Sequence, residues 1–218
     1  HYVDHADADA DADADAVTPA HKLPWPVIDS PHGPLHVLER YYDPQHQHGR
    51  MPVSEALSCD ASMLATLALD ESLRDVDPSR MLFLDLETTG LSGGTGTIAF
   101  LVGLARFVDG ALALEQLIVP NLGAEAPVLA RVAERVREAS CLVTFNGKTF
   151  DWPLLRTRFV MNRMPMPPVA AHVDLLHVGR RIWKPRLGSV RLTEIERDVL
   201  RFEREGDIDC AEIPGRYL

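Results

Sequence analysis

One apolar run, Met81-Leu82-Phe83-Leu84, takes up two carboxylates one residue apart, Asp85 and Glu87, and then breaks into the Thr/Ser/Gly stretch TTGLSGGTGT. In a strand, residues i and i+2 share a face, so the two acids project together at the strand's C-terminal end. α/β sheets commonly hold ligands there. Taking a carboxylate out of water is unfavourable by several kcal/mol unless something positive compensates it. A turn cap or an arginine partner would account for one of the pair. Two in one apolar strand are better matched by a divalent cation, which wants hard oxygen ligands and offsets their mutual repulsion.

The glycine-rich loop after the acids has no Gly-Lys-[Ser/Thr], so it is no Walker A loop, and it lacks the G-x-G-x-x-G spacing of a dinucleotide fold. Small residues at this place let a bulky substrate backbone come close. A plain flexible turn would have the same composition.

The surrounding pattern predicts β-β-β-α-β-α-α from residue 81 onward. Strands are expected over 82–86, 98–107 and 112–119, the last two joined by the hairpin signal Asp109-Gly110. Helical spacing of Val128, Leu129, Val132 and Val136 marks a helix over 127–139. A fourth strand over 141–145 and helices over 152–161, 175–183 and 190–200 follow. Ahead of this lie three other segments. The alternating Asp/Ala tract places a disordered acidic tail over 1–22. Residues 23–80 form an extension, with a small hairpin turning at Ser30-Pro31-His32-Gly33-Pro34 and an amphipathic helix over 53–69. His46 and His48 alternate there, but with no third ligand nearby they are read as loop histidines.

Charge bears on partners only after the tail is set aside. The formal net charge is −10, and six Asp of the tail account for much of it; without them 22 basic residues face 26 acidic ones, or −4. Within 152–191, eight Lys and Arg stand against one acid, Asp174. That excess suits a polyanionic substrate, and equally a few solvated helix faces. Three widely spaced cysteines, Cys59, Cys141 and Cys210, suggest neither a disulfide frame nor a zinc site. With no apolar run near ~20 residues and no secretory signal, the expectation is a cytoplasmic protein.

A second acid stands in TFNGKTFDWPLL, residues 144–155: a strand end, an Asn146-Gly147-Lys148 turn, and Asp151 opening a helix with Pro153 in its first turn. Taken alone, Asp151 is a helix cap. Beside DLETTG it gains another meaning. FLDLETTGL resembles the first motif of the DEDD 3′–5′ exonuclease superfamily, and NGKTFDWPLL resembles its second. The longer strings FLDLETTGLSGGTGTIAFLVGLARF, LVTFNGKTFDWPLLRTR and HVDLLHVGRRIWK are similar to the YprB-like branch of ribonuclease-H-like proteins, over roughly residues 26–218. Three antiparallel strands followed by an α-β-α passage fit the same α/β, ribonuclease-H-like mixed sheet flanked by helices, occupying 81–218.

The resemblance implies a nuclease that uses two divalent ions, Mg²⁺ or Mn²⁺, held by Asp85, Glu87 and Asp151. Its partner would be a single-stranded 3′ end of DNA or RNA. Thr88, Thr89, Gly90, Asn146, Lys148 and Arg156 are the candidate substrate contacts. The superfamily's third motif, a Tyr or His followed by a last metal-binding Asp, is expected on a helix beyond the final EIPGRYL. Asp198, Asp207 and Asp209 do not replace it. Asp174, with His172 and His177, is read as a helix cap, and Trp152 and Trp183 as packing residues. Two alternatives compete with this reading. A nucleic-acid-binding module of the same fold with little turnover stays open, whereas a haloacid-dehalogenase-type phosphatase needs D-x-D where this strand has DLE.

Overall fold

The computed structural model of the chain describes residues 25–90, 96–204 and 206. The acidic tail, Asp207 and Asp209 lie outside them. In chain order, β1 (Val27–Ser30) and β2 (Gly33–Tyr42) form a hairpin, and β3 (Gln47–His48) pairs with β4 (Met51–Pro52). A 3₁₀ turn over Val53–Ser58 precedes α1 (Ala61–Ala68). Then come β5 (Met81–Thr88), β6 (Ala99–Val108), β7 (Ala111–Ile118), α2 (Ala126–Glu138), β8 (Cys141–Thr144) and α3 (Asp151–Met161). β9 (His172–Asp174), α4 (Leu175–Ile182), α5 (Lys184–Leu187), α6 (Leu192–Ile195) and a wide π turn over Glu196–Leu200 close the described chain.

These strands make a seven-stranded mixed sheet in the order β1-β2-β7-β6-β5-β8-β9. β5 pairs in parallel with β8 and β8 with β9, while the other neighbours are antiparallel. The expected antiparallel triplet and α-β-α passage are both present. At the β6–β7 turn, Asp109 and Gly110 both take positive φ (50° and 84°), as a two-residue hairpin of this twist requires.

Three expectations are corrected. The N-terminal hairpin does not merely pack on the sheet but joins it, β2 pairing with β7 from His36↔Ile118 to Tyr42↔Leu112. The helix expected over 53–69 is two pieces, because Asp60 is extended and its side chain accepts the Met63 N–H (3.0 Å), capping α1. β9 was not anticipated: three residues running directly into α4 carry too little pattern to register.

Alternation along β5 divides the sheet into two faces. Leu82, Leu84 and Leu86 pack with Val102, Leu104 and Leu117 under Val128, Leu129 and Val132 of α2 and Leu154, Leu155 and Phe159 of α3. On the other face, Met81, Cys141, Val143 and Val173 are covered by Ala65 of α1, Leu73 and Val178 of α4. Cys59 and Cys141 are free thiols. Among the described residues no helix is long and apolar enough to cross a membrane.

Candidate active site

Because Leu82, Leu84 and Leu86 turn into the α2/α3 core, Met81, Phe83, Asp85 and Glu87 necessarily share the opposite face. The α1/α4 layer covers its first part, with Met81 buried and Phe83 half-buried. Beyond it Asp85 is exposed and Glu87 half-buried. Opposite Asp85 on β6 stands Gly103, so no cross-strand side chain crowds that carboxylate. Just past Glu87 the pairing slips, Glu87 facing Leu101 and Thr88 facing Ala99. Such a bulge re-aims the end of a strand.

Thr88 Oγ1 donates to the Gly90 carbonyl (3.0 Å), and Thr89 Oγ1 accepts the Ile98 N–H (3.1 Å). The Thr89 N–H donates in turn to the Ile98 carbonyl (3.0 Å). Both hydroxyls therefore shape the mouth of the glycine-rich loop, whose residues 91–95 lie outside those described.

Asp151 arrives from the far end of the β8–α3 loop, and Asp174 organises that loop. Asp174 Oδ1 accepts the Asn146 N–H (2.7 Å) and the Leu176 N–H (3.0 Å), while Oδ2 accepts the Lys148 N–H (3.1 Å). It caps α4, as expected, and also pins the turn. Asn146 sits in the left-handed region (φ 69°), which asparagine tolerates better than most residues. Gly147 is required for space: a Cβ there would lie 2.5 Å from Thr144 Cβ and 2.7 Å from Asp151 Oδ2. Asp151 begins α3 behind Phe150, which supplies no side-chain cap.

The three carboxylates feel one another. Burial, then Asp85, Asp174 and Glu87, push the Asp151 carboxyl up to about 7. Burial also raises Asp85, opposed by a hydrogen bond from the Leu86 main chain and by the nearby Arg204 guanidinium. Asp85 is exposed by surface area yet still raised, because a carboxylate in a concavity touches water while losing much of its bulk hydration. Among the described residues no three His, Cys, Asp or Glu side chains close into a finished metal cage. The donors nonetheless suit a hard divalent ion: carboxylate oxygens only, crowded until one titrates near neutrality. Without a cation between them, such acids repel and stay apart.

The other candidates divide. Lys148 Nζ lies 3.8 Å from Asp70 Oδ2, tying the loop to the N-terminal layer. Arg156 is exposed on α3 and makes no ion pair among the described residues. The basic stretch 152–191 is not one surface. Arg158 is buried, its Nε 2.7 Å from Glu125 Oε1, and Arg181 donates to the Leu67 carbonyl (2.7 Å). His172 Nε2 lies 2.9 Å from Thr144 Oγ1, and burial followed by Lys148 pushes the imidazole down to about 4, a neutral packing residue. Trp152 packs on the α2/α3 core. Asp198 is held by Arg197 (2.8 and 3.0 Å). His46 lies against Tyr42, and His48 stacks on Phe202 with ring centroids 3.9 Å apart.

Three contributions escaped the sequence reading. The collision that Gly147 avoids depends on how tightly the turn from Thr144 to Asp151 is wound, and the triple acceptor role of Asp174 depends on segments 26 to 28 residues apart meeting in space. Arg204 near Asp85 had no sequence signal at all; it is carried there by the docked π turn, where its Nε meets Glu196 Oε2 at 2.6 Å.

Comparison with known proteins agrees with the fold. The chain is 34% identical over 189 residues to "Uncharacterized protein YprB" of Bacillus subtilis (strain 168), covering 84% of this chain and 45% of that protein. The chain thus spans less than half the length of this relative. A family model described as the RNase_H superfamily matches residues 82–218, from the second residue of β5 onward. By fold and by that match, the chain belongs to the ribonuclease H superfamily.

Proposed function

We propose that this chain is the catalytic part of a divalent-metal-dependent nuclease that hydrolyses phosphodiester bonds at a single-stranded 3′ end of DNA or RNA. One observation supports the reading: burial first, and then the charges of Asp85, Asp174 and Glu87, raise the Asp151 carboxyl to about 7, so acids from β5 and α3 are near enough to act on one another. A structural acid in this fold is neutralised differently, as Glu125 is by Arg158.

In this reading Asp85 is the central ligand, reached from both sides by Glu87 and Asp151. Two ions, Mg²⁺ or Mn²⁺, would supply a Lewis-acid centre that offsets charge building on phosphorus and on the leaving 3′ oxygen. The chain's own residues prepare that site. Gly147 and Asp174 hold the turn ahead of Asp151, and Gly103 keeps the cross-strand flank of Asp85 clear. Asp151 gives up its proton to serve as a ligand, so ion binding strengthens as pH rises toward about 7 and levels off above it. Half-buried Asn146 and exposed Lys148 and Arg156, close in the chain to Asp151, would meet phosphates.

A second reading, a nucleic-acid-binding module with little turnover, is favoured by the acids' open arrangement and by Arg204 beside Asp85. Incubating 3′-labelled single-stranded DNA and RNA with the full-length protein, with Mg²⁺ or Mn²⁺, separates the two. Shortening of the strand that disappears in Asp85→Ala is the expected result. Strands that are bound but left uncut with either ion would overturn the nuclease reading in favour of the binding module.

A further inference from the structure

Next to the acids, and not part of them, lies a cavity of about 380 Å³ lined by Phe145, Asn146, Arg180, Lys184, Ser189 and Arg191, among others. Its cations come from three places: Arg180 from the last turn of α4, Lys184 from the start of α5, and Arg191 from the residue ahead of α6. Arg180 and Lys184 make no ion pair among the described residues, although Arg181, one residue away, is committed to the Leu67 carbonyl. Two acids stand close by: Asp174, buried and occupied by the main-chain N–H groups of Asn146, Lys148 and Leu176, and Glu194. The Glu194 carboxylate already accepts the Arg191 main-chain N–H (3.2 Å) and the Ser189 hydroxyl, and these hold it below the usual carboxylate range. The Arg191 charge helps to hold Glu194 low, whereas Arg180 and Lys184 face the opening with no ion pair among the described residues.

Elsewhere in this protein arginines that approach one another do so around a carboxylate. Arg131 and Arg135 reach Glu115 at 3.7 and 2.6 Å, with Arg106 at 3.8 Å. Here three cations converge with Glu194 close to Arg191 alone, and the uncompensated charge of Arg180 and Lys184 is tolerable where solvent or an incoming anion screens it. The position of the cavity says which anion. Asn146 is both its wall and the residue before Gly147, whose main chain abuts the Asp151 carboxylate. Phe145 adds an aromatic face at the same wall, of the kind on which unpaired bases stack.

We infer that this cavity binds a backbone phosphate of the single strand whose neighbouring bond lies at the acids, with Arg180, Lys184 and Arg191 as its ligands. The site deepens the proposed function and rests on it for the identity of the polymer. An inorganic phosphate ion offers the same chemistry, so the test includes both. Binding of fluorescein-labelled single-stranded DNA and RNA is measured by anisotropy in EDTA, where no cleavage intervenes, over a series of salt concentrations.

Replacing Arg180, Lys184 and Arg191 by Ala together should weaken binding roughly tenfold or more near 0.1 M salt. It should also flatten the log–log salt dependence by about 0.7, the contribution of the one single-strand phosphate that is no longer neutralised. Arg137→Ala, on the exposed side of α2 behind the opposite face of the sheet, should change neither. The single variant Lys184→Glu, at an exposed position, should weaken binding, and Lys184→Arg should restore it. Inorganic phosphate at matched ionic strength should not displace the strand. The inference is overturned if the triple variant keeps the wild-type affinity and slope, if the wild type shows no binding, or if inorganic phosphate alone empties the site. Since the readout is binding without metal, a protein that binds in this way yet never cuts would defeat the nuclease reading and leave the phosphate site standing.

Discussion

The buried acids under α2 and α3 and the acids around Asp151 sit in different electrostatic surroundings. Under α2 and α3, Glu115 is 3% exposed and Glu125 is 4% exposed, and each is matched by guanidinium groups, Arg106, Arg131 and Arg135 for the first and Arg158 for the second. Asp85 and Glu87 lie near Asp151, and Arg204 offsets Asp85 in part. Matched anions anchor helices to a sheet. At the second place Asp151 is raised by burial and by acids around it, and in the proposed function a cation would relieve that charge.

The comparison breaks hardest at the matched pair. Arg158→Ala leaves Glu125 buried without its partner and should destabilise the protein by about 3–5 kcal/mol, read as a lower urea midpoint. An equal stability in the variant would mean that Glu125 finds water or another donor, and the contrast between the two places would lose its basis.

At the mismatched site, Gly147→Ala places a methyl group against Thr144 and the Asp151 carboxylate. It should lower stability by about 1–3 kcal/mol, the usual range for overpacking, and weaken Mn²⁺ binding in calorimetry because Asp151 must shift. Unchanged Mn²⁺ affinity would show that the turn does not position the acid.

The finest test is a gain. A carboxyl raised from 3.8 to about 7 is protonated in the folded protein where the unfolded chain has released its proton. Stability therefore falls as pH rises across that interval, and the whole loss is present above about 7. Asp151→Asn removes the charge, and in EDTA it should stabilise the protein by about 1–2 kcal/mol at pH 8, an advantage that shrinks toward pH 4. Adding Mg²⁺ should then stabilise the wild type and not the variant. A variant less stable than wild type at pH 8 would mean that Asp151 is a structural acid like Glu125.

Much of this was legible in one dimension. The Leu82/Leu84/Leu86 alternation fixes which face Asp85 and Glu87 occupy, and the β6–β7 hairpin announces itself through Asp109-Gly110, because strand parity and turn backbone are local properties. Helices α2 and α3 follow from their apolar spacing for the same reason. The helix over 53–69 was misread because one extended residue, Asp60, outweighs a periodic pattern on both sides of it. β9 was missed because its three residues exist as a strand only through pairing with β8.

By itself, then, the sequence determined the order of the main elements and the face of the acids, since each depends on residues within a few positions of one another. Tertiary structure alone decided that Arg158 and Arg181 serve the scaffold, that Arg180, Lys184 and Arg191 meet around one cavity, that Asp174 pins the turn before Asp151, and that Arg204 lies near Asp85. Each of these is a relation between segments far apart in the chain. Coulomb energy and steric exclusion depend on separation in space, which the spacing of residues along a chain does not specify.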